Sequence, residues 1–68
     1  MLNINELKAE IARCGLTTKM LAEKIGIHPA TLSGKMNGKT EFDCGEMEKI
    51  GEILHLSKKH MVDIFFGP

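Results

Sequence analysis

The chain has 68 residues, 43% of them hydrophobic, with nine basic side chains balanced by nine acidic ones. A domain of this length buries only about 60% of the surface its unfolded chain exposes, so the size excludes a multidomain enzyme and predicts one small, marginally stable domain over residues 1–68. No charged leader with a small-residue cleavage site is visible, and no apolar run approaches the roughly 20 residues of a bilayer span, which points to a cytoplasmic protein.

In chain order, Ile4, Leu7, Ile11 and Cys14 recur at steps of three and four, one helical stripe, and Gly15 follows as a left-handed stop. Thr17 offers a hydroxyl cap to a second helix whose inward residues are Leu21, Ala22 and Ile25 and which ends at Gly26. His28 is a poor cap for a third helix, but Pro29 suits its first position, where a missing N–H costs nothing. Leu32 and Met36 carry the inward stripe to Asn37-Gly38, which stops it. Asp43 with Glu46 forms a capping box for a fourth helix, and Phe42 with Met47 staples its entry. Its inward residues are Met47, Ile50, Ile53 and Leu54, with Gly51 where another helix approaches closely. A fifth helix starts at Ser57, stapled by Leu56 and Met61, with Met61, Ile64 and Phe65 on one stripe. No strand-like alternation occurs, so the fold class is all-α: five short helices around one core.

Charge is unevenly distributed. Residues 16–40 carry four lysines against one glutamate, whereas residues 41–56 carry five acids against one lysine, so a cationic face can exist on a neutral chain. The break at Gly26 makes the second and third helices a helix-turn-helix, projecting a short helix from Pro29 to Asn37. At 100° per residue with Leu32 at zero, Met36 falls near 40°, Pro29 near 60° and Lys35 near −60°, a buried arc. Ala30, Ser33, Gly34 and Asn37 lie between about 100° and 200° and face outward.

The stretch LTTKMLAEKIGIHPATLSGKMNGK resembles the helix-turn-helix of the Cro and CI repressor family, also called XRE-like, of phages and prophages. The matching elements are Leu16-Thr17, Leu21-Ala22, Gly26-Ile27, Thr31-Leu32-Ser33 and Asn37-Gly38, and the five-helix layout extends the likeness over nearly the whole chain. The size resembles the small, free-standing Cro-like regulators. This resemblance implies a compact lambda-repressor-like domain that regulates transcription by placing its third helix in the major groove of double-stranded DNA. It implies an inverted-repeat operator with half-sites about 34 Å apart, read by a homodimer. Carried over by position, His28, Pro29, Ala30, Ser33 and Gly34 face bases, while Thr18, Lys19, Asn37, Gly38 and Lys39 hold phosphates. Lys35 joins that set if its stem covers the core and its ammonium reaches out. With four to six phosphate contacts per subunit, log affinity falls against log salt with a slope of about −4 to −5. For the dimer contact the candidates are Ile64, Phe65 and Phe66, with Phe66 left exposed by burial of the other two.

Four positions depart from the family's usual residues: Thr18 stands for glutamine, Gly34 for arginine or glutamine, Lys35 for an apolar residue and His28 for a small polar cap. The outward face is therefore small and nearly uncharged, leaving methyl contacts by Pro29 and Ala30 and a modest donor in Ser33. Gly34 costs the helix about 1 kcal/mol against alanine, as a close-approach point for DNA or as a tolerated defect. Histidine ordinarily changes charge at about pH 6.5, so a protonated His28 at the mouth of this helix predicts tighter DNA binding at pH 6 than at pH 8.

Other functions find less support. Cys14 and Cys44 are too few and too far apart for a disulfide framework, and Cys14 sits on an apolar stripe rather than in a nucleophile's setting, so no enzyme is expected. Cys14, Cys44, His55 and His60 form no ligand pair at zinc spacing, and neither metal, cofactor nor small-molecule substrate is expected. His55 reads as a dipole partner at the end of helix four and His60 as a surface residue. The competing class is a protein-interaction module or antirepressor that keeps the helix-turn-helix core without reading DNA, which the neutral charge and the bare face of Ala30, Ser33 and Gly34 favour.

Overall fold

The structure, a computed structural model, describes residues 2–67; Met1 and Pro68, the two ends of the expected domain, lie outside the described residues. Five helices follow one another: α1 (Ile4–Arg13), α2 (Thr18–Ile25), α3 (Pro29–Met36), α4 (Cys44–Ile53) and α5 (Lys58–Phe66). No described residue is in a strand, and no described helix is long and apolar enough to cross a membrane. The all-α, five-helix architecture stands as the periodicity implies.

Each helix begins on a side-chain acceptor that satisfies one of the N–H groups no helical carbonyl can reach. Asn3 Oδ1 takes the Glu6 N–H at 3.1 Å, Thr17 Oγ1 that of Met20 at 3.1 Å, and Ser57 Oγ that of His60 at 3.1 Å. The α4 capping box is complete. Asp43 Oδ1 accepts the Glu46 N–H at 2.7 Å, and Glu46 Oε1 accepts the Asp43 N–H at 2.9 Å.

The ends are equally local. Gly15, Gly26 and Gly38 take positive φ after α1, α2 and α3, and the matching position after α4 is filled by His55, with φ 56°. There the Leu56 N–H reaches the Gly51 carbonyl at 2.9 Å and the His55 N–H that of Glu52 at 3.3 Å, a Schellman closure built without glycine. His55 therefore carries backbone strain as well as a place at the negative end of α4.

Leu7, Leu21, Ala22, Leu32, Ile50, Leu54 and Ile64 are fully buried, with Ile11, Ile25, Met36 and Phe65 nearly so. Cys14, Met47, Ile53 and Met61, expected on inward stripes, are half-buried and pack against the rim of this core. Cys14 is held there by its thiol, which lies 3.7 Å from the Leu54 carbonyl. Gly51 is buried where α5 crosses α4: a Cβ added there would meet the Met61 sulfur at 2.5 Å, so the close approach expected of it is present. Phe42 stacks edge-on against Phe65 with ring centroids 5.4 Å apart.

One buried charge breaks the stripe of α1. Glu10 is only 8% exposed; Arg13 Nε donates to its Oε1 at 2.6 Å, and Arg13 Nη2 also reaches the Leu54 carbonyl at 3.2 Å. The hydrogen bond to Glu10, followed by its charge, raises the Arg13 pKa above its ordinary value. The pair thereby ties the end of α1 to the end of α4.

His55→Gly should raise stability by about 1 kcal/mol, because glycine adopts the left-handed conformation without the steric cost borne by a side chain. Urea denaturation checks this, and an unchanged midpoint would show that the ring's dipole contact offsets the strain.

Candidate nucleic-acid interface

The turn of residues 26–28 presents α3. At its start the Ala22 carbonyl accepts two N–H groups, those of Gly26 at 2.9 Å and Ile27 at 3.0 Å, while Gly26 takes φ 82°. That double closure ends α2 abruptly, and the extended backbone of His28, at ψ 140°, starts α3 at once with Pro29 in its first turn. Ala22, fully buried, allows α2 and α3 to pack closely, and Leu32 anchors α3 to the core.

His28 caps better than its residue type suggests. Its Nδ1 accepts the Ala30 N–H at 3.1 Å. In the neutral ring this leaves the proton on Nε2, so the free edge of the imidazole is a donor.

Along α3, Leu32 and Met36 are buried, Pro29, Gly34 and Lys35 half-buried, and Ala30, Thr31 and Ser33 exposed. The outward face therefore has His28, Ala30 and Ser33 at the surface, with Pro29 and Gly34 on its margins. Thr31, which the base-facing set leaves out, is exposed as well. A wheel places it on the flank, about 100° from Leu32.

Lysine positions differ sharply. Lys19 and Lys24 on α2 are exposed, as is Lys39 after α3. Lys35 is drawn in: its Nζ lies 3.1 Å from Glu46 Oε1 and donates to the Glu41 carbonyl at 3.0 Å, with the side chain 13% exposed. Its stem covers the core side of α3 as expected, but its ammonium is spent on α4 rather than reaching outward. Lys35 thus acts as a clamp between α3 and the α4 capping box.

After α3, Asn37, Gly38 and Lys39 form an exposed turn closed by the Gly38 N–H to the Lys35 carbonyl at 3.2 Å and the Lys39 N–H to the Gly34 carbonyl at 2.9 Å. At the other end, Thr18 is half-buried in the first turn of α2 with Lys19 beside it. Unpaired first-turn N–H groups and an adjacent ammonium attract anions, which suits a phosphate. A Cβ at Gly34 would meet only the Lys39 stem at 4.0 Å, ordinary contact, so nothing within the fold requires glycine there.

The carboxy-terminal helix divides the aromatic trio. Ile64 and Phe65 belong to the core and are unavailable to a partner, whereas Phe66 is 64% exposed. Val62, one turn earlier and 54% exposed, extends that surface and was not singled out by the stripe of α5.

Compared with models of known protein families and with curated proteins, the chain matches none.

Lys35→Gln should lower stability by about 1–2 kcal/mol, since it leaves Glu46 and the Glu41 carbonyl without a charged donor. Chemical denaturation measures this loss; a smaller one would mean that solvent replaces the lysine freely.

Proposed function

We propose that the chain is a sequence-specific DNA-binding transcriptional regulator resembling the Cro and CI repressors, with α3 as the helix that enters the major groove. The observation that carries this reading is the outward face of α3: small, largely exposed, free of acidic side chains, with the exposed Lys39 beside Gly34 and the exposed Lys19 in the first turn of α2. Phosphates would be held by Lys19 with the first turn of α2, and by the turn of Asn37, Gly38 and Lys39. Those contacts set the register; the bases are then read by Ala30 and Pro29 against thymine methyls, by the Ser33 hydroxyl and by the Nε2–H of His28 on acceptors. With few long donors on this face, discrimination rests on shape and methyl contacts more than on bidentate hydrogen bonds.

One subunit with so few contacts binds weakly, so a homodimer on an inverted repeat is part of the proposal. Phe66 and Val62 are the side chains left exposed to make it. The same patch favours the second reading, an interaction module whose partner is a protein.

Titration with random duplex at two salt concentrations, followed by selection from a randomised oligonucleotide pool, separates these readings. Lys39→Gln should reduce the salt slope by about 1, and Lys35→Gln should leave it unchanged. Absence of binding at low salt would favour the interaction module, and binding without an enriched sequence would remove base readout from the proposal. Gly34→Ala should raise stability by about 1 kcal/mol while weakening the selected operator complex. Unaltered affinity would show that Gly34 grants no close approach to DNA.

A further inference from the structure

We infer that Glu6, Glu10 and His60 form a three-ligand site for a zinc-type divalent ion at the seam between α1 and α5. Glu6 and Glu10 are one helical turn apart and share a face of α1. His60 is brought to them because the Ser57 cap fixes the first turn of α5 and the Asn3 N–H binds the Ile64 carbonyl at 2.6 Å. His60 Nε2 lies 3.2 Å from Glu6 Oε1 and 3.6 Å from Glu10 Oε2, and one donor atom from each of the three residues falls within 4.8 Å of the others. Donors on a tetrahedral zinc with bonds of about 2.0–2.1 Å stand about 3.3 Å apart. The two nitrogen–oxygen separations bracket that value.

The independent observation is the division of labour within Glu10. Its side chain is 10% exposed, and Arg13 occupies Oε1, orienting the carboxylate so that Oε2 faces His60. Among the described residues Oε2 has no hydrogen bond, and it keeps contact with solvent, so an ion can reach it. The His60 Nε2–H can be donated well to Glu6 alone, so the apo arrangement leaves Oε2 facing an imidazole nitrogen beyond hydrogen-bond distance. A divalent ion accepts the Nε2 lone pair and both carboxylate oxygens together, while Arg13 offsets one negative charge. The partly exposed Glu6 and His60 leave a fourth position open to water. An imidazole with two carboxylates suits zinc better than magnesium or calcium, which prefer all-oxygen sets.

The test uses the full chain, stripped of metal and near neutral pH, titrated with zinc chloride by calorimetry and thermal unfolding, and with cobalt(II) by absorption. One equivalent should bind and raise the melting temperature. His60→Gln and Glu6→Gln, both at partly exposed positions outside the core, should remain folded by circular dichroism and bind at least about tenfold more weakly. Cobalt should give the visible bands of a low-coordinate ion without a thiolate charge-transfer band. Three results would each overturn the site: no heat and no rise in melting temperature at millimolar zinc, equal affinity in His60→Gln, or a thiolate band placing the ion on Cys14 or Cys44. None of these readouts involves DNA.

Discussion

The conformation at Gly26 governs how the amino-terminal half of the protein is used. With φ at 82° the chain reverses immediately after α2, and the Ala22 carbonyl takes up the N–H groups of both Gly26 and Ile27. A residue with a Cβ would bear a steric cost in that geometry, and a continuous helix would carry Leu32 away from Leu21 and Ile25. Because the reversal is tight, α3 begins within three residues and still drives Leu32 into the core, which fixes its orientation and leaves the opposite face open. Any function proposed for that face depends on this reversal.

Two electrostatic clamps reinforce the packing at places where apolar area is scarce. Lys35 binds α3 to the capping box of α4, and Arg13 binds the buried Glu10 of α1 to the last carbonyl of α4. Neither needs to be strongly stabilising in itself, since desolvation offsets much of the attraction between partly buried charges. Their effect is on arrangement: if the helices slide, Lys35 loses Glu46 and Arg13 loses the Leu54 carbonyl. In so small a domain, a few such contacts hold the helices in one register while the apolar core supplies most of the energy.

Recruitment of Lys35 into a clamp also changes the character of the proposed DNA surface. Lys39 stays exposed beside Gly34 after α3, Lys19 stays exposed in the first turn of α2, and the central face is almost uncharged. Such a surface separates the two tasks of recognition, with phosphate contacts at the rim and shape or methyl contacts at the centre. Val62 and Phe66 form an apolar strip on α5 whose neighbours Ile64 and Phe65 are consumed by the core. The proposed dimer would therefore rest on few side chains.

The local signals in the sequence determined the helices and nearly all of their ends. Thr17, Pro29, Asp43 with Glu46 and Ser57 announce starts, and Gly15, Gly26 and Gly38 announce stops, because caps and left-handed turns are made by residues a few positions apart. The buried stripes were legible for the same reason, as was the outward arc of α3. Other features required the tertiary structure. Lys35 looked free to reach out because Glu46 lies eleven positions away, and His60 looked like a surface residue because its acidic partners are on the first helix. Glu10 gave no hint of burial, since its neighbour Arg13 explains only half of its environment and Leu54 and His60 supply the rest. Helical periodicity states which face a residue occupies; only the packing of one helix on another decides which charge it meets there.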